Sequence, residues 1–269
     1  MNTVHSKDGT AIAFDAWGEG QPVILVDGAT GHRAASPLPA QLGELLGSEF
    51  RVYAYDRRGR GDSGDTSPYA VEREVEDLAA LIAEAGAPAI VCGFSSGSVL
   101  ALDAAAAGLP IAKLALFEPP FVIDDARPPL PVDYVQRLDA SVGEGRRGDA
   151  VELFLTAAVG MPAEFVGGMR QSPFWPGLEA IAHTIAYDGR IMGTTMSGAP
   201  LPIDRWANVR LPVLVLYGRG TEPWLAEGAK ALAELLPTAS VEAVEGEQHS
   251  VAADVLAPTL RQFATTNAE

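Results

Sequence analysis

Ala89-Ile90-Val91-Cys92-Gly93-Phe94-Ser95-Ser96-Gly97 opens on four apolar residues, crosses a Gly-x-Ser-x-Gly and runs into an alanine-rich stretch from Ser96 to Ala107. Four consecutive apolar residues suit a strand buried on both faces. The alanine-rich stretch reads as a helix. A serine placed between such elements sits on a tight strand-to-helix turn, where the flanking glycines avoid clashes and Oγ points away from the sheet. The helix N-terminus supplies positive potential and free N–H groups that favour a developing oxyanion. A Gly/Ser-rich turn without that context would carry no chemistry. Here the context marks Ser95 as the candidate nucleophile, and Ser96 as the residue that offers a backbone N–H.

Working outward, the same alternation recurs. Residues 2–5 and 10–16 read as a hairpin around Lys7-Asp8-Gly9. Val23 to Val26, Val52 to Tyr55 and Leu114 to Phe117 are further buried-strand candidates. Leu38 to Leu46 has helical spacing, and a helix starting at Ser67-Pro68 carries Val71, Val75, Leu78 and Ile82 on one face. The charges between Glu72 and Asp77 are expected on its solvated face. From Pro119 to Pro212 no strong strand appears, and amphipathic stretches recur near 132–138, 150–159 and 178–185. That is too long for a loop and reads as an inserted helical subdomain. The rhythm resumes with Val213 to Leu216, a helix from Trp224 to Leu236, a strand near Val241 to Val244 and a last helix ending at Phe263, limited by Pro258. The expected fold class is α/β, a mostly parallel sheet between two helical layers. Residues 1–118 and 212–269 form its core and 119–211 the insertion.

Composition narrows the function classes. The chain has 269 residues, 48% of them hydrophobic, enough to bury a core without staples. A single cysteine, Cys92, leaves no intramolecular disulfide and no CxxC site. Nineteen basic against 35 acidic side chains, a net charge of −16, argues against nucleic-acid and anionic-membrane partners. Residues 1–14 contain no signal-like apolar core, and no run approaches the ~20 apolar residues of a membrane span. The expectation is a cytoplasmic protein with a small-molecule substrate, no cofactor and no metal. A homodimer is left open.

A serine nucleophile needs a base. Of the four histidines, His5 lies in the hairpin and His183 in the insertion, whereas His249 follows the last strand in Gly246-Glu247-Gln248-His249. Catalytic groups gather at the carboxyl ends of parallel strands, so His249 is the candidate base. Gly59-Arg60-Gly61-Asp62-Ser63-Gly64 fits a dinucleotide fingerprint in letters only, because Thr66-Ser67-Pro68 blocks direct entry into a helix. It reads as a structural turn, with Asp56 and its arginines pairing locally. Phe165, Met169, Phe174, Trp175, Met192 and Met196, taken together, suggest an apolar substrate pocket in the insertion.

With its hairpin, its Asp27-Gly28 loop, the turn Asp56 to Ser63, the elbow at Ser95, the insertion and His249, the chain resembles the α/β-hydrolase superfamily in its form with a helical cap. The resemblance spans nearly the whole chain. It implies a three-layer α/β/α hydrolase fold, Ser95 as nucleophile, His249 as base, oxyanion donors from the backbone of Ser96 and Ala29, and a cap that covers the pocket. Two positions depart from the family. Its usual His-Gly after the first parallel strand is Asp27-Gly28, where the carboxylate either shapes the loop, with His32 or Arg33, or acts as an acid-base group. Its usual Gly-x-x-Asp is Gly218-Arg219-Gly220-Thr221, which lacks the acid. Glu118, directly after a buried strand, is the preferred replacement, with Glu222 as the alternative. The leading expectation is hydrolysis of an ester, thioester or lactone of a small, partly apolar molecule through an acyl-enzyme. The alternatives are a cofactor-free lyase, cyclase or isomerase using Asp27 and His249, and a binding protein without turnover.

Overall fold

Every apolar run read as a buried strand lies in one sheet. The computed structural model describes residues 1–266. Its strands are β1 (Asn2–His5), β2 (Ala11–Trp17), β3 (Gln21–Val26), β4 (Phe50–Tyr55), β5 (Ala89–Phe94), β6 (Ile111–Phe117), β7 (Val213–Gly220) and β8 (Ala239–Glu247). They lie in the order β1-β2-β4-β3-β5-β6-β7-β8. The β1–β2 and β2–β4 pairs are antiparallel, and every pair from β4–β3 to β7–β8 is parallel. Helices α1 (Leu38–Leu46), α2 (Val71–Ala85) and α3 (Ser96–Ala106) follow β3, β4 and β5. Between β6 and β7 come α4 (Tyr134–Gly143), α5 (Arg147–Leu153), α6 (Ala163–Met169), α7 (Trp175–Ala180) and α8 (Ile185–Met192). Helices α9 (Pro223–Leu235) and α10 (Ala253–Thr265) close the chain.

Strand periodicity divides the core into two slabs. Val23 and Leu25 face Leu42, Leu46, Leu256 and Leu260 of α1 and α10. Ile24 and Val26 face Leu78, Leu81, Val99 and Leu232 of α2, α3 and α9. The result is the three-layer α/β fold. The helices α4 to α7 gather around Leu138, Val151, Val166 and Trp175 in a cluster of their own. The ends of the insertion do not stay apart: Phe121, Val122, Ile191, Met192, Met196 and Trp206 join the core on the α2–α3 side of the sheet. No helix among the described residues is long and apolar enough to cross a membrane.

Four local expectations are corrected. Helix α2 starts at Val71, not at Ser67-Pro68, because Ala70 is extended and Tyr69 is held by stacking on Tyr187 at 3.7 Å and by a hydrogen bond to Glu74. Pro258 does not limit the last helix, which runs through it. Asp254, whose carbonyl loses its helical donor to Pro258, and Pro258 itself are exposed, so water can take that carbonyl. Glu74 and Asp77 are buried rather than solvated. Arg57 grips Glu74 with two bonds of 2.7 and 2.9 Å, and Arg58 grips Asp77 with two of 2.8 and 2.7 Å. Finally, Asp56 does not pair with its neighbouring arginines. It takes the Arg33 guanidinium and the N–H groups of Arg33 and Asp62, while the buried arginines reach other elements. Buried charge persists only when paired and hydrogen-bonded, and these partners come from the covering helices.

Arg58 also meets Asp8 of the first hairpin at 3.0 Å. Burial pushes the Asp8 carboxyl up, but hydrogen bonds from Thr10 and the charge of Arg58 outweigh it and hold it at about 2. An acid depressed on folding stabilises the fold above its unfolded value, about 3.9, and loses that contribution as pH falls through the folded one. The Tm gap between wild type and Asp8→Asn is therefore expected to be widest above about pH 4 and to close towards about pH 2. Scanning calorimetry across that range checks it; a gap that does not change with pH contradicts the pairing.

Candidate active site

Strands β5 and β6 run parallel with Phe94 opposite Phe117, so Ser95 and Glu118 leave the sheet side by side. The Ser95 N–H donates to the Phe117 carbonyl at 2.9 Å, and the Glu118 N–H to the Leu216 carbonyl at 2.8 Å. Glu118 is fully buried. Its Oε1 accepts from the Gly218 N–H at 2.8 Å and its Oε2 lies 2.5 Å from His249 Nδ1. His249 sits in a reverse turn from Glu247 to Ser250, closed by the Ser250 N–H on the Glu247 carbonyl at 3.0 Å. Gln248 and His249 have φ of 51° and 59°, the pattern of a tight hairpin turn with both central residues left-handed. That turn hangs the imidazole over the end of β6.

Among the described residues five non-glycine side chains have positive φ: Thr30, Ser95, Glu118, Gln248 and His249. All five belong to this edge of the sheet. Ser95 has φ 53° and ψ −126°, outside the left-handed helical well. Each such residue costs on the order of 1–3 kcal/mol, so the concentration here marks a place where the surrounding sheet holds geometry against strain.

The loop after β3 lies against the serine. A Cβ placed on Gly28 would come within 2.8 Å of Ser95 Cβ and 3.1 Å of the Phe94 carbonyl, so only glycine allows this approach. Asp27 turns its Oδ1 back to its own Gly28 N–H at 3.1 Å. It pairs with neither Arg33, which is engaged by Asp15, Asp56 and Asp62, nor His32. Burial pushes the Asp27 carboxyl up, against the opposing charges of Arg60 and Arg57. Those two arginines bind the loop's backbone instead: Arg57 donates to the Asp27 carbonyl at 3.2 Å and Arg60 to the Gly28 carbonyl at 2.7 Å. A cavity of about 30 Å³, room for about one water, lies beside Asp27, Tyr55 and Phe94.

Ser96 is the first residue of α3, so its N–H has no helical partner. Its hydroxyl donates to Asp188 of α8 at 2.7 Å. Ala29 follows Gly28 in the loop, and among the described residues its N–H has no hydrogen-bond partner. Glu222 is exposed at the start of α9 and makes no bond to His249 among the described residues. Thr221 closes a turn onto Gly218. Cys92 is buried three residues before Ser95, and burial pushes its thiol up to about 12, which removes it as a competing nucleophile.

The six apolar residues of the insertion do not form one pocket. Met192, Met196 and Trp175 are packed in core, whereas Phe165 and Phe174 are exposed and line, with Met169, an open groove on α6. Residues 128 positions apart, Arg60 and Asp188, meet in the interior, a contact with no sequence signal beyond the charged run after β4. No group of three or more His, Cys, Asp or Glu that could hold a metal occurs among the described residues.

A parallel sheet with a strained serine between β5 and α3 and a histidine beyond the last strand defines the α/β-hydrolase class. The sequence profile of the Alpha/beta hydrolase family matches residues 23–259, and the chain belongs to that family. It is 26% identical over 260 residues to a non-heme chloroperoxidase of Kitasatospora aureofaciens, covering 92% of this chain and 91% of that one. An alpha/beta hydrolase from Sphaerobacter thermophilus superposes with a TM-score of 0.88 at 52% identity, over 98% of this chain and 100% of that one. An enol-lactonase from Burkholderia xenovorans shares the fold at a TM-score of 0.69 and 20% identity, over 98% and 100% of the two chains.

Gly28→Ala tests the loop geometry. The added methyl is expected to cost about 1–3 kcal/mol of stability, because neither Ser95 nor the Phe94 backbone can yield freely. Reaction of Ser95 with a fluorophosphonate should slow by about ten-fold or more through displacement of the loop. Denaturant unfolding and labelling rates check the two effects separately.

Proposed function

We propose that this protein is a serine-dependent acyl hydrolase that cleaves an ester, thioester or lactone of a small molecule through an acyl-enzyme. The observation that carries the proposal is the 2.5 Å contact between buried Glu118 and His249, built beside the strained elbow of Ser95. Family membership and a neighbour named as an enol-lactonase support the same reaction class. Esterases of Thermogutta terrifontis and of Rhodococcus also share the fold, at TM-scores of 0.69 and 0.67.

In this reading, Glu118 takes the Nδ1 proton of His249 in a hydrogen bond and leaves the Nε2 lone pair to face the serine. His249 then accepts the Ser95 proton as Oγ attacks the carbonyl, and Glu118 stabilises the imidazolium that forms. The amides of Ala29 and Ser96 receive the oxyanion. His249 returns its proton to the leaving group, and water repeats the sequence to release the acid. Glu118 replaces the acid that the Gly218–Thr221 loop lacks. It does so from the neighbouring strand, with the Gly218 N–H holding its second oxygen.

One observation favours a second reading. Asp27 is a carboxyl whose protonated form is favoured by burial, and among the described residues it has no ion-pair partner. Proton removal from a substrate by one of Asp27 and His249, with proton delivery to it by the other, would give a cofactor-free lyase, cyclase or isomerase.

Labelling of the intact protein with a fluorophosphonate, read by mass spectrometry, separates the two. Stoichiometric modification that is lost in Ser95→Ala and His249→Ala is the expected result. Glu118→Gln should lower kcat for a p-nitrophenyl ester by roughly 10²–10⁴-fold, the range for losing the group that orients the histidine. Failure to label folded protein would overturn the acyl-transfer reading. Turnover that survives Ser95→Ala and is abolished by Asp27→Asn would establish the second.

A further inference from the structure

Asp188 lies on α8, in the middle of the inserted segment, and is almost completely buried. Its Oδ1 accepts from Arg57 Nη1 at 2.7 Å and from Ser96 Oγ at 2.7 Å, and its Oδ2 accepts from Arg60 Nη2. Burial pushes its carboxyl up, but the two arginines and the Ser96 hydroxyl outweigh this and keep it ionised. With Glu74 on the far side of Arg57, two buried positive charges face two buried negative ones.

Each cation bound to Asp188 also grips the loop beside Ser95. Arg60 donates to the Gly28 carbonyl at 2.7 Å. That oxygen and the Ala29 N–H belong to one planar trans peptide and point in opposite directions. Holding the oxygen from the arginine side therefore aims the Ala29 N–H away from it, and a cationic donor on the oxygen polarises the N–H further. Arg57 holds the preceding peptide through the Asp27 carbonyl in the same manner. On the other side, Asp188 ties down the side chain of Ser96, whose backbone N–H is the second donor.

We propose that Asp188 is the positioning residue of the oxyanion hole, setting the Ala29 amide through Arg60 and the Ser96 amide through its hydroxyl. This rests on the acyl-transfer reading above. It makes the donors depend on the seating of α8, so the insertion takes part in assembling the reaction centre. Thr184, just before α8, adds a second tether by accepting from Arg60 Nε at 3.1 Å.

The test compares Asp188→Asn, Ser96→Ala and Asp77→Asn with wild type. Ser95 is first titrated with a fluorophosphonate, and kcat and KM for a p-nitrophenyl ester are then expressed per titrated site. Asp188→Asn should lower kcat per site by about ten-fold or more with KM within about three-fold, the split expected when a group acts only on the transition state. Its affinity for a boronic acid that forms a tetrahedral adduct should fall in parallel. Ser96→Ala keeps every charge, so it tests one arm of the proposal even if Asp188→Asn folds poorly; a smaller loss of kcat, about three-fold or more, is expected. Asp77→Asn breaks a comparable buried ion pair away from the loop and should lower Tm while leaving kcat per site unchanged. The proposal is overturned if Asp188→Asn and Ser96→Ala turn over at the wild-type rate per site. A loss in Asp77→Asn equal to that in Asp188→Asn also overturns it, since the network would then act only as scaffold. Absence of Ser95 labelling in wild type would instead defeat the acyl-transfer reading, and is seen before any variant is compared.

Discussion

Arg57, Arg58 and Arg60 leave β4 and enter the interior with almost no exposure to water. Three guanidinium groups in such a place must each find a carboxylate with good geometry, since an uncompensated buried charge is among the costliest faults a fold can carry. Their partners come from three directions: Asp8 in the first hairpin, Glu74 and Asp77 on α2, and Asp188 on α8. Satisfying them seats the hairpin, a covering helix and the insertion on the same end of the sheet. The spare donors of Arg57 and Arg60 then fall on the Asp27 and Gly28 carbonyls. One constraint thus orders both the packing and the candidate site.

The strain at that site fits this arrangement. Ser95, Glu118 and His249 hold left-handed backbone that L side chains avoid, and each is anchored by bonds from regular structure. Ser95 and Glu118 bond to the neighbouring strands, and His249 rides on a hairpin turn closed against β8. The parallel register that brings Phe94 opposite Phe117 places the serine and the glutamate at the same level. A one-residue slip would send every side chain of the strand to the other face, so the packed slabs on both faces protect that alignment.

Part of this was legible in the chain. Alternating apolar runs and helical stretches predict the layers, because burial on both faces removes polar residues from a strand whatever its neighbours are. The Gly-x-Ser-x-Gly between a strand and a helix singles out Ser95, and the position after the last strand singles out His249. Glu118 could be nominated from a carboxylate directly after a buried strand. Its contact with His249, 131 residues away, needed the fold. The solvated face assigned to α2 failed at Glu74 and Asp77 for an instructive reason: amphipathic spacing reports where charges point, not whether an arginine waits there.

What the sequence alone determined is therefore local. It set the order of elements, the elbow at Ser95 and the loop that carries His249, since each depends on neighbours within a few residues. Tertiary structure decided the rest: that Glu118 rather than Glu222 reaches the histidine, that Asp27 turns back on its own loop, and that Asp188 meets Arg57, Arg60 and Ser96. Those outcomes follow from strand register and from the pairing of buried charges. Both are settled between residues far apart in the chain, when water is expelled and each charge must find its partner.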